Sequence, residues 1–397
     1  MIPERLYGRE REVEILLAAF DRVVANGEPE LVLVSGYSGI GKSSVVNELH
    51  KALVPTRALF ASGKFDQYKR DIPYATLVQA FQSLVRPLLG KSDAELASWR
   101  DAILDALGLN GRLMVDLIPE LKFIIGDQPP VPELELQQAQ TRFHRVFRRF
   151  IGVFARAEHP LAIFLDDLQW LDAATLDLLG DLLTQADVRH LLLIGACRDN
   201  EVDALHPLAR KLSAIQSSGA KVSEIKLGPL NQEHVGRLIA EGLGCETTSA
   251  APLADLVHGK TAGNPFFVLQ FLSSLADEGL LIFDHEVQGW SWNLDSIRAK
   301  SHAGNVLDLM VAKLDRLPGE AQKALQQLAC LGNIADVTTL ATVLGTSEDE
   351  VHAAVWEAVR IELVGRQQHA YKFVHDRVQE AAYSLIPERS APRPTSG

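Results

Sequence analysis

Apolar positions along the chain follow two different periods. Short apolar runs at 31–34, 58–61, 161–165, 191–196 and 221–227 lack helical spacing and predict buried strands of a parallel sheet. Between them the spacing changes to i, i+3, i+4. A helix is expected from about 42 to 53, directly after the first run, and another at 173–183. A third stripe, with Phe143, Val146, Phe147, Phe150, Ile151 and Phe154 on one side and Arg142, Arg145, Arg148 and Arg149 beside them, reads as a core-facing helix whose arginines form a basic solvent face or offer one arginine to a neighbouring site. Strands alternating with helices over the first ~225 residues predict an α/β domain.

From Asn231 onward helical patterns dominate, with two interruptions. Residues 280–294, with Trp290 and Trp292 after Gly289, alternate like a hairpin. Residues 363–373 form two short strand-like pieces around Gln367 and Gln368, after three helical patterns in roughly 304–360. Helices followed by a small hairpin predict a winged-helix unit. The expected organisation is an α/β domain at 1–228, a helical region with a hairpin at 229–300 and a winged-helix domain at 301–386. After Pro387 the sequence ERSAPRPTSG is too polar to bury a core, so 387–397 is expected to be a disordered tail or linker.

Composition narrows the function classes. At 397 residues, 47% hydrophobic and 23% charged, the chain can bury more than one core. A formal net charge of -12 argues against broad nucleic-acid binding, which needs a basic footprint. No apolar run approaches the ~18 residues of a membrane span, and the N-terminus lacks a signal-peptide core. Cys197, Cys245 and Cys330 are too scattered for a zinc knuckle or a redox dithiol. A cytoplasmic protein with free thiols is the expectation.

The chemistry concentrates at strand ends. Gly36-Tyr37-Ser38-Gly39-Ile40-Gly41-Lys42-Ser43 fits the phosphate-binding loop at every fixed position, between a strand and a helix. Glycines let main-chain N–H groups converge on phosphate oxygens, and the next helix aims its N-terminal N–H groups at the same anion. Lys42 is expected on the β- and γ-phosphates and Ser43 on Mg²⁺. Ser38, Ile40 and Ser44 complete the loop set. The run 161–165 delivers Asp166 and Asp167 to the C-terminal edge of the sheet, where ligands of open α/β sheets sit. Asp166 is assigned to Mg²⁺ and Asp167 to polarising the attacking water. Arg198, after the run at 191–196, either contacts the γ-phosphate or pairs with Asp199 or Glu201. Asp172 is expected to cap the 173–183 helix. ATP or ADP with Mg²⁺ is thus the predicted cofactor, with ATP hydrolysis the predicted reaction.

With these residues assembled, the chain resembles the signal-transduction ATPases with numerous domains, the STAND class. It is most similar to the ATPase module of large bacterial sensor kinases that combine serine/threonine and histidine kinase domains. The resemblance covers about 6–387, through LYGREREVEIL, GKFDQYKRDIPY, FLDDLQWLDAAT, GACRDNEV, AGNPFFV and FVHDRVQEAAYSLIP. It implies a five-stranded parallel sheet with an additional strand between the loop strand and the Asp166 strand, then a helical lid at 229–300 and the winged helix. It implies that Arg9 lies near the adenine, that Pro265 touches the nucleotide and that His375 reads the ADP phosphates; the bland alternative for His375 is a cap on the last helix. It also implies a slow ATP/ADP switch, partnered by other signalling domains and able to form a nucleotide-driven homo-oligomer. One departure stands out: Asp167 occupies a position where motor ATPases carry glutamate, and its shorter reach suits slow turnover. Two rivals remain open. One is a DNA-acting ATPase of the origin-binding or helicase-loading type, which the acidic SEDEVHAAVWEAVR helix disfavours. The other is a small-molecule kinase. HRDxxxxN and DFG patterns are missing, so the chain is not itself a protein kinase.

Overall fold

The computed structural model describes residues 5–53, 58–65, 72–284, 289–300, 311, 313–361, 363–367 and 369–386. Those residues divide into two compact units, Leu6–Gly228 and the chain from Pro229 onward.

The first unit is built on five strands: β1 (Glu30–Gly36), β2 (Leu59–Lys64), β3 (Leu161–Asp166), β4 (Leu191–Cys197) and β5 (Lys221–Leu227). All pair in parallel, in the order β2-β3-β4-β1-β5. The additional strand is therefore β4, lying between β1 and β3. Both of those strands, and β4, are covered on both faces, which explains their unbroken apolar composition. Side chains alternate between faces along each strand. Val32, Val34, Ala162, Phe164, Leu192 and Ile194 meet the helices Glu10–Asn26 and Lys42–Leu53 through Leu16, Phe20, Val45 and Leu49. Leu31, Leu33, Ile163, Leu165, Leu191 and Leu193 face the opposite core.

That second core holds the helical insertion between β2 and β3. Phe147, Phe150 and Phe154 of the helix Leu136–Phe154 surround Phe81 of the helix Ala75–Leu88, with ring centroids 5.3–6.0 Å apart. The helix Asp93–Leu107 starts with a reciprocal cap between Ser92 and Glu95. The expected basic face is present: Arg145 and Arg149 are exposed, while Arg148 pairs with Asp187 at 3.0 Å and Arg142 donates to the Pro132 carbonyl. Asp172 caps the helix Ala173–Thr184, accepting from Thr175 N at 2.8 Å.

β2 departs from its expected bounds of 58–61. It starts at Leu59 and runs on through Ser62, Gly63 and Lys64, which pair with Phe164, Leu165 and Asp166. Small and polar residues continue the strand because Gly63 lies against the start of the helix Ala75–Leu88. A Cβ there would stand 2.5 Å from the Thr76 carbonyl oxygen.

The second unit opens with the helices Gln232–Leu243, Thr247–Thr261 and Pro265–Asp277. An antiparallel pair follows, β6 (Leu281–Asp284) with β7 (Gly289–Trp292). Its connecting residues 285–288 lie outside the described residues, as do 301–310 at the expected lid boundary and the tail 387–397. Beyond the helix Leu294–Lys300, the helices Gly319–Leu331, Val337–Leu344 and Glu348–Arg360 share one core with a small antiparallel sheet. That sheet has the order β8-β10-β9, formed by β8 (Ile334–Asp336), β9 (Val364–Gln367) and β10 (Ala370–Phe373). The helix Asp376–Ser384 closes the unit. Among the described residues no helix is long and apolar enough to cross a membrane.

Two glycines of the first unit test this packing with opposite signs. Gly63→Ala forces backbone apart and is expected to destabilise by about 1–3 kcal/mol. Gly152→Ala, inside the helix Leu136–Phe154 with nothing within 4 Å of the added carbon, is expected to stabilise by about 0.5–1 kcal/mol. Urea midpoints of the two variants, read at unchanged slope, check both; equal midpoints would contradict the described contact of β2 with its helix.

Candidate functional site

The parallel sheet brings the C-terminal ends of β1, β3 and β4 to one edge, so the residues that follow them gather there. After Gly36 the chain curls through Gly39 and Gly41, at φ 78° and 97°, before entering the helix at Lys42. Nothing lies within 4 Å of where a Gly41 Cβ would stand, so the loop leaves room above its own backbone. Gly36 has the opposite reason to be glycine: a Cβ there would be 2.7 Å from the Leu227 carbonyl oxygen at the end of β5. Ile40 anchors the loop by burying its side chain beside Val45 and Val46. Ser38 is buried and Ser44 is exposed.

Lys42 arches back over the loop, its Nζ donating to the carbonyls of Gly36 (2.8 Å) and Tyr37 (3.0 Å). Burial pushes its pKa down, and the nearby carboxylates of Asp166 and Asp167 pull it back. Ser43 Oγ donates to Asp166 Oδ2 at 2.8 Å, joining the loop to β3. The other oxygen of Asp166 accepts from the Asp167 N–H at 2.9 Å. A hydroxyl and a carboxylate side by side are the hard oxygen donors Mg²⁺ prefers, with phosphate and water oxygens to complete its shell. Ser43 and Asp166 therefore fit that ion.

Asp167 adopts left-handed backbone angles, φ 57° and ψ 47°, which costs a non-glycine residue about 1 kcal/mol. Its buried carboxylate has a partner on either side. Lys64 Nζ, from β2, is 3.0 Å from Oδ2. Gln169 Nε2 donates to Oδ1 at 2.9 Å, and Arg198 Nε is 3.7 Å from the same oxygen. Arg198 also donates to Glu201 Oε1 at 2.6 Å, so its ion pair with Glu201 and its approach to the site coexist. Lys64 and Gln169 are site residues that the sequence reading does not single out, although both lie in characteristic segments, GKFDQYKRDIPY and FLDDLQWLDAAT.

Arg9 is buried, and its guanidinium donates to two main-chain carbonyls, Ile40 of the loop (3.2 Å) and Gly228 after β5 (2.5 Å). Pro265 and His375 belong to the second unit. Pro265 is the first residue of its helix, and the His375 ring stacks on the adjacent Phe266 with centroids 3.9 Å apart. His375 also caps the last helix, its Nδ1 accepting from Arg377 N at 3.0 Å, which is the bland alternative expected for it.

Comparison with known proteins agrees with this chemistry. Residues 5–194 match the model of the AAA ATPase domain. The hybrid signal transduction histidine kinase G of Dictyostelium discoideum is 27% identical over 97% of this chain, and histidine protein kinase 1 of Candida albicans is 28% identical over 39% of it. The matches span 14% and 7% of those two proteins, so this chain corresponds to a small part of each. Among solved structures, a signal transduction ATPase with numerous domains from Pyrococcus horikoshii, carrying a tetratricopeptide repeat sensor, gives a TM-score of 0.47 at 15% identity. That match covers 98% of this chain and 44% of the other.

Cys197, at the end of β4, reports on how closed this edge is. Burial pushes its pKa up to about 11, with Lys42 acting in the opposite direction. The thiol thus stays protonated at neutral pH, whereas Cys330 is exposed. Brief maleimide treatment at pH 7.5 is expected to label Cys330 and spare Cys197 until the protein is unfolded, as read by mass spectrometry. The sign for stability follows: the folded-state pKa is raised, so this contribution is complete below pH ~9 and is lost as pH rises toward ~11. Labelling of Cys197 as fast as Cys330 would mean an open edge.

Proposed function

We propose that this AAA-type ATPase module is a nucleotide-dependent conformational switch and the regulatory part of a larger signalling protein. The observation that supports the reading is the hydrogen bond from Ser43 to Asp166, which joins the loop at 36–43 to the carboxylate at the end of β3. In this reading the loop amides from Gly36 to Ser44 and the Lys42 ammonium bind the phosphates of ATP, and Ser43 and Asp166 hold Mg²⁺. When bound, Mg²⁺ neutralises phosphate charge and orients the terminal phosphoryl group. Asp167 accepts the proton of the attacking water. Arg198 stabilises negative charge on the transferred group.

Slow turnover suits the geometry. Both oxygens of Asp167 are already engaged, Oδ2 by Lys64 and Oδ1 by Gln169, so the carboxylate must release Lys64 to act as a base while Gln169 keeps hold of it. A switch tolerates that cost better than a motor does. To move a conformational equilibrium from 1:99 to 99:1, nucleotide states must differ by about 5.5 kcal/mol in binding preference. A γ-phosphate with several charge-assisted partners offers energy of that order.

The helices from Gln232 to Asp277, with the β6–β7 pair, take the role of the lid. The three helices from Gly319 to Arg360 and the β8-β10-β9 sheet take that of a winged helix. In this reading Pro265 and His375 contact the bound nucleotide and Arg9 acts beside the adenine. Asp349, Glu350 and Trp356 are exposed on the helix Glu348–Arg360, and its acidic side chains disfavour a DNA-reading role. The resemblance to parts of histidine kinases supports signalling domains as the partners, and a nucleotide-driven homo-oligomer is a further element of this proposal.

Two substitutions separate binding from turnover. Lys42→Ala is expected to lower ATP affinity at least a hundredfold, measured by titration with a fluorescent ATP analogue. Asp167→Asn is expected to bind ATP within a few-fold of the parent while losing phosphate release at least a hundredfold. Normal ATP binding by Lys42→Ala would refute the site.

A further inference from the structure

The turn after β3 carries a buried amide that the proposed chemistry does not yet use. Leu168–Trp170 forms one tight helical turn, and Asp167 precedes it without lending its side chain as a cap. Two contacts seat this turn on the end of β4. The first is apolar: Leu168 fills the space above Gly195, where an added Cβ would stand 2.3 Å from Leu168 Cδ1. The second is polar and belongs to Gln169, which is only 4% exposed. Its Oε1 accepts from the main-chain N–H of Arg198 at 3.2 Å, while its Nε2 donates to Asp167 Oδ1 at 2.9 Å.

The two ends of the amide are chemically distinct, so the pair of bonds has a polarity. An N–H on β4 can be met only by the carbonyl oxygen, which leaves the NH₂ facing the carboxylate. Gln169 is therefore a neutral ruler of fixed length and direction between the end of β4 and the side chain of Asp167. Lys64 and Arg198 also approach that carboxylate, but each is a long, flexible cation: Lys64 reaches it from β2, and Arg198 also pairs with Glu201. Attraction by such charges sets no single rotamer. A hydrogen bond from a buried amide with both ends fixed does.

We infer that Gln169 is a positioning residue that fixes the carboxylate of Asp167 relative to Arg198, so that the base and the charge-stabilising cation hold one geometry. Gln169 acts through Asp167 and does not itself touch nucleotide. The inference rests on the ATPase reading above and deepens it by adding the residue that registers β3 to β4. The side chain must bridge a carboxylate and a main-chain N–H, which a hydrocarbon of equal length cannot do and a carboxylate can do only at the Arg198 end.

The test uses the full chain in four forms beside the parent: Gln169→Met, Gln169→Glu, Asp167→Asn and the Gln169→Glu/Asp167→Asn pair. Gln169→Met is expected to keep ATP affinity and KM within about threefold while kcat falls at least tenfold. The second readout needs no turnover. Gln169→Glu alone sets two carboxylates against each other and is expected to lower the unfolding temperature. In the double variant the amide introduced at position 167 can donate to the new carboxylate, so the pair is expected to melt higher than the sum of its single changes. Parent-like kcat in Gln169→Met overturns the inference, as does loss of ATP affinity in step with kcat, which would mark a role in shaping the pocket. If Gln169→Met does not fold, additive melting temperatures in the cycle overturn it as well. Lys42→Ala run in parallel keeps the two failures apart: if it binds ATP like the parent, the ATPase reading itself falls, whereas if it fails to bind, only the role of Gln169 is in question.

Discussion

The bond between Ser43 and Asp166 has to be made across a gap. β4 lies between β1 and β3, and neighbouring strands stand ~4.8 Å apart, so the two functional strands are separated by ~10 Å. The sheet cannot close that distance. It is closed by the loop, which leaves β1 at Gly36 and starts the helix Lys42–Leu53 close enough for its second residue to reach Asp166. What holds the helix there is apolar. Ile40, Val45, Val46 and Leu49 pack with Val32, Val34, Ala162 and Phe164 in one core. Fully burying a side chain of this size stabilises by about 1.5–3 kcal/mol, against about 1 kcal/mol net for a neutral hydrogen bond. Packing therefore dictates the polar geometry, and the glycines permit it.

Charge at this edge is concentrated. Lys42, Lys64 and Arg198 face Asp166, Asp167 and Glu201, with Asp199 and Glu224 acting on Cys197 nearby. Asp167 and Arg198 are the buried pair in this set, and removing one partner of a buried charge pair costs about 3–5 kcal/mol. Lys42 is the least comfortable member, since burial works against its charge and part of its solvation comes from loop carbonyls. The ammonium of Lys42 thus carries the burial cost at this edge, while the carboxylate of Asp167 is held by Lys64 and Gln169.

Much of this is legible in the sequence, and the unreadable part has a common cause. β1, β3, β4 and β5, the helix at 42–53 and the Asp172 cap all follow from local period and local chemistry, and the structure places them within a residue or two of the expected bounds. β2 reads short because its second half, Ser62-Gly63-Lys64, is a strand only by virtue of pairing with β3. β8 is invisible to periodicity because three residues cannot display a period. The same distinction governs the site. Lys42, Ser43 and Asp166 belong to spaced motifs, whereas Lys64 and Gln169 take their roles from partners on other strands. Gln169 bonds a residue 29 positions away, and Lys64 one more than a hundred away.

Arg9 shows how far a non-local partner can change what a residue does. A buried arginine is disfavoured, and its pKa is lowered by desolvation. Glu12, at 3.8 Å, compensates only in part. The guanidinium is retained by two carbonyls from separate segments, Ile40 of the loop and Gly228 directly after β5. The loop meets the same strand end again at Gly36, where the Leu227 carbonyl leaves no space for a Cβ. These two contacts brace the phosphate loop from below against β5, as its helix braces it from the side. A loop fixed on both flanks keeps open space above its own backbone, at Gly41, where nothing lies within 4 Å of an added Cβ.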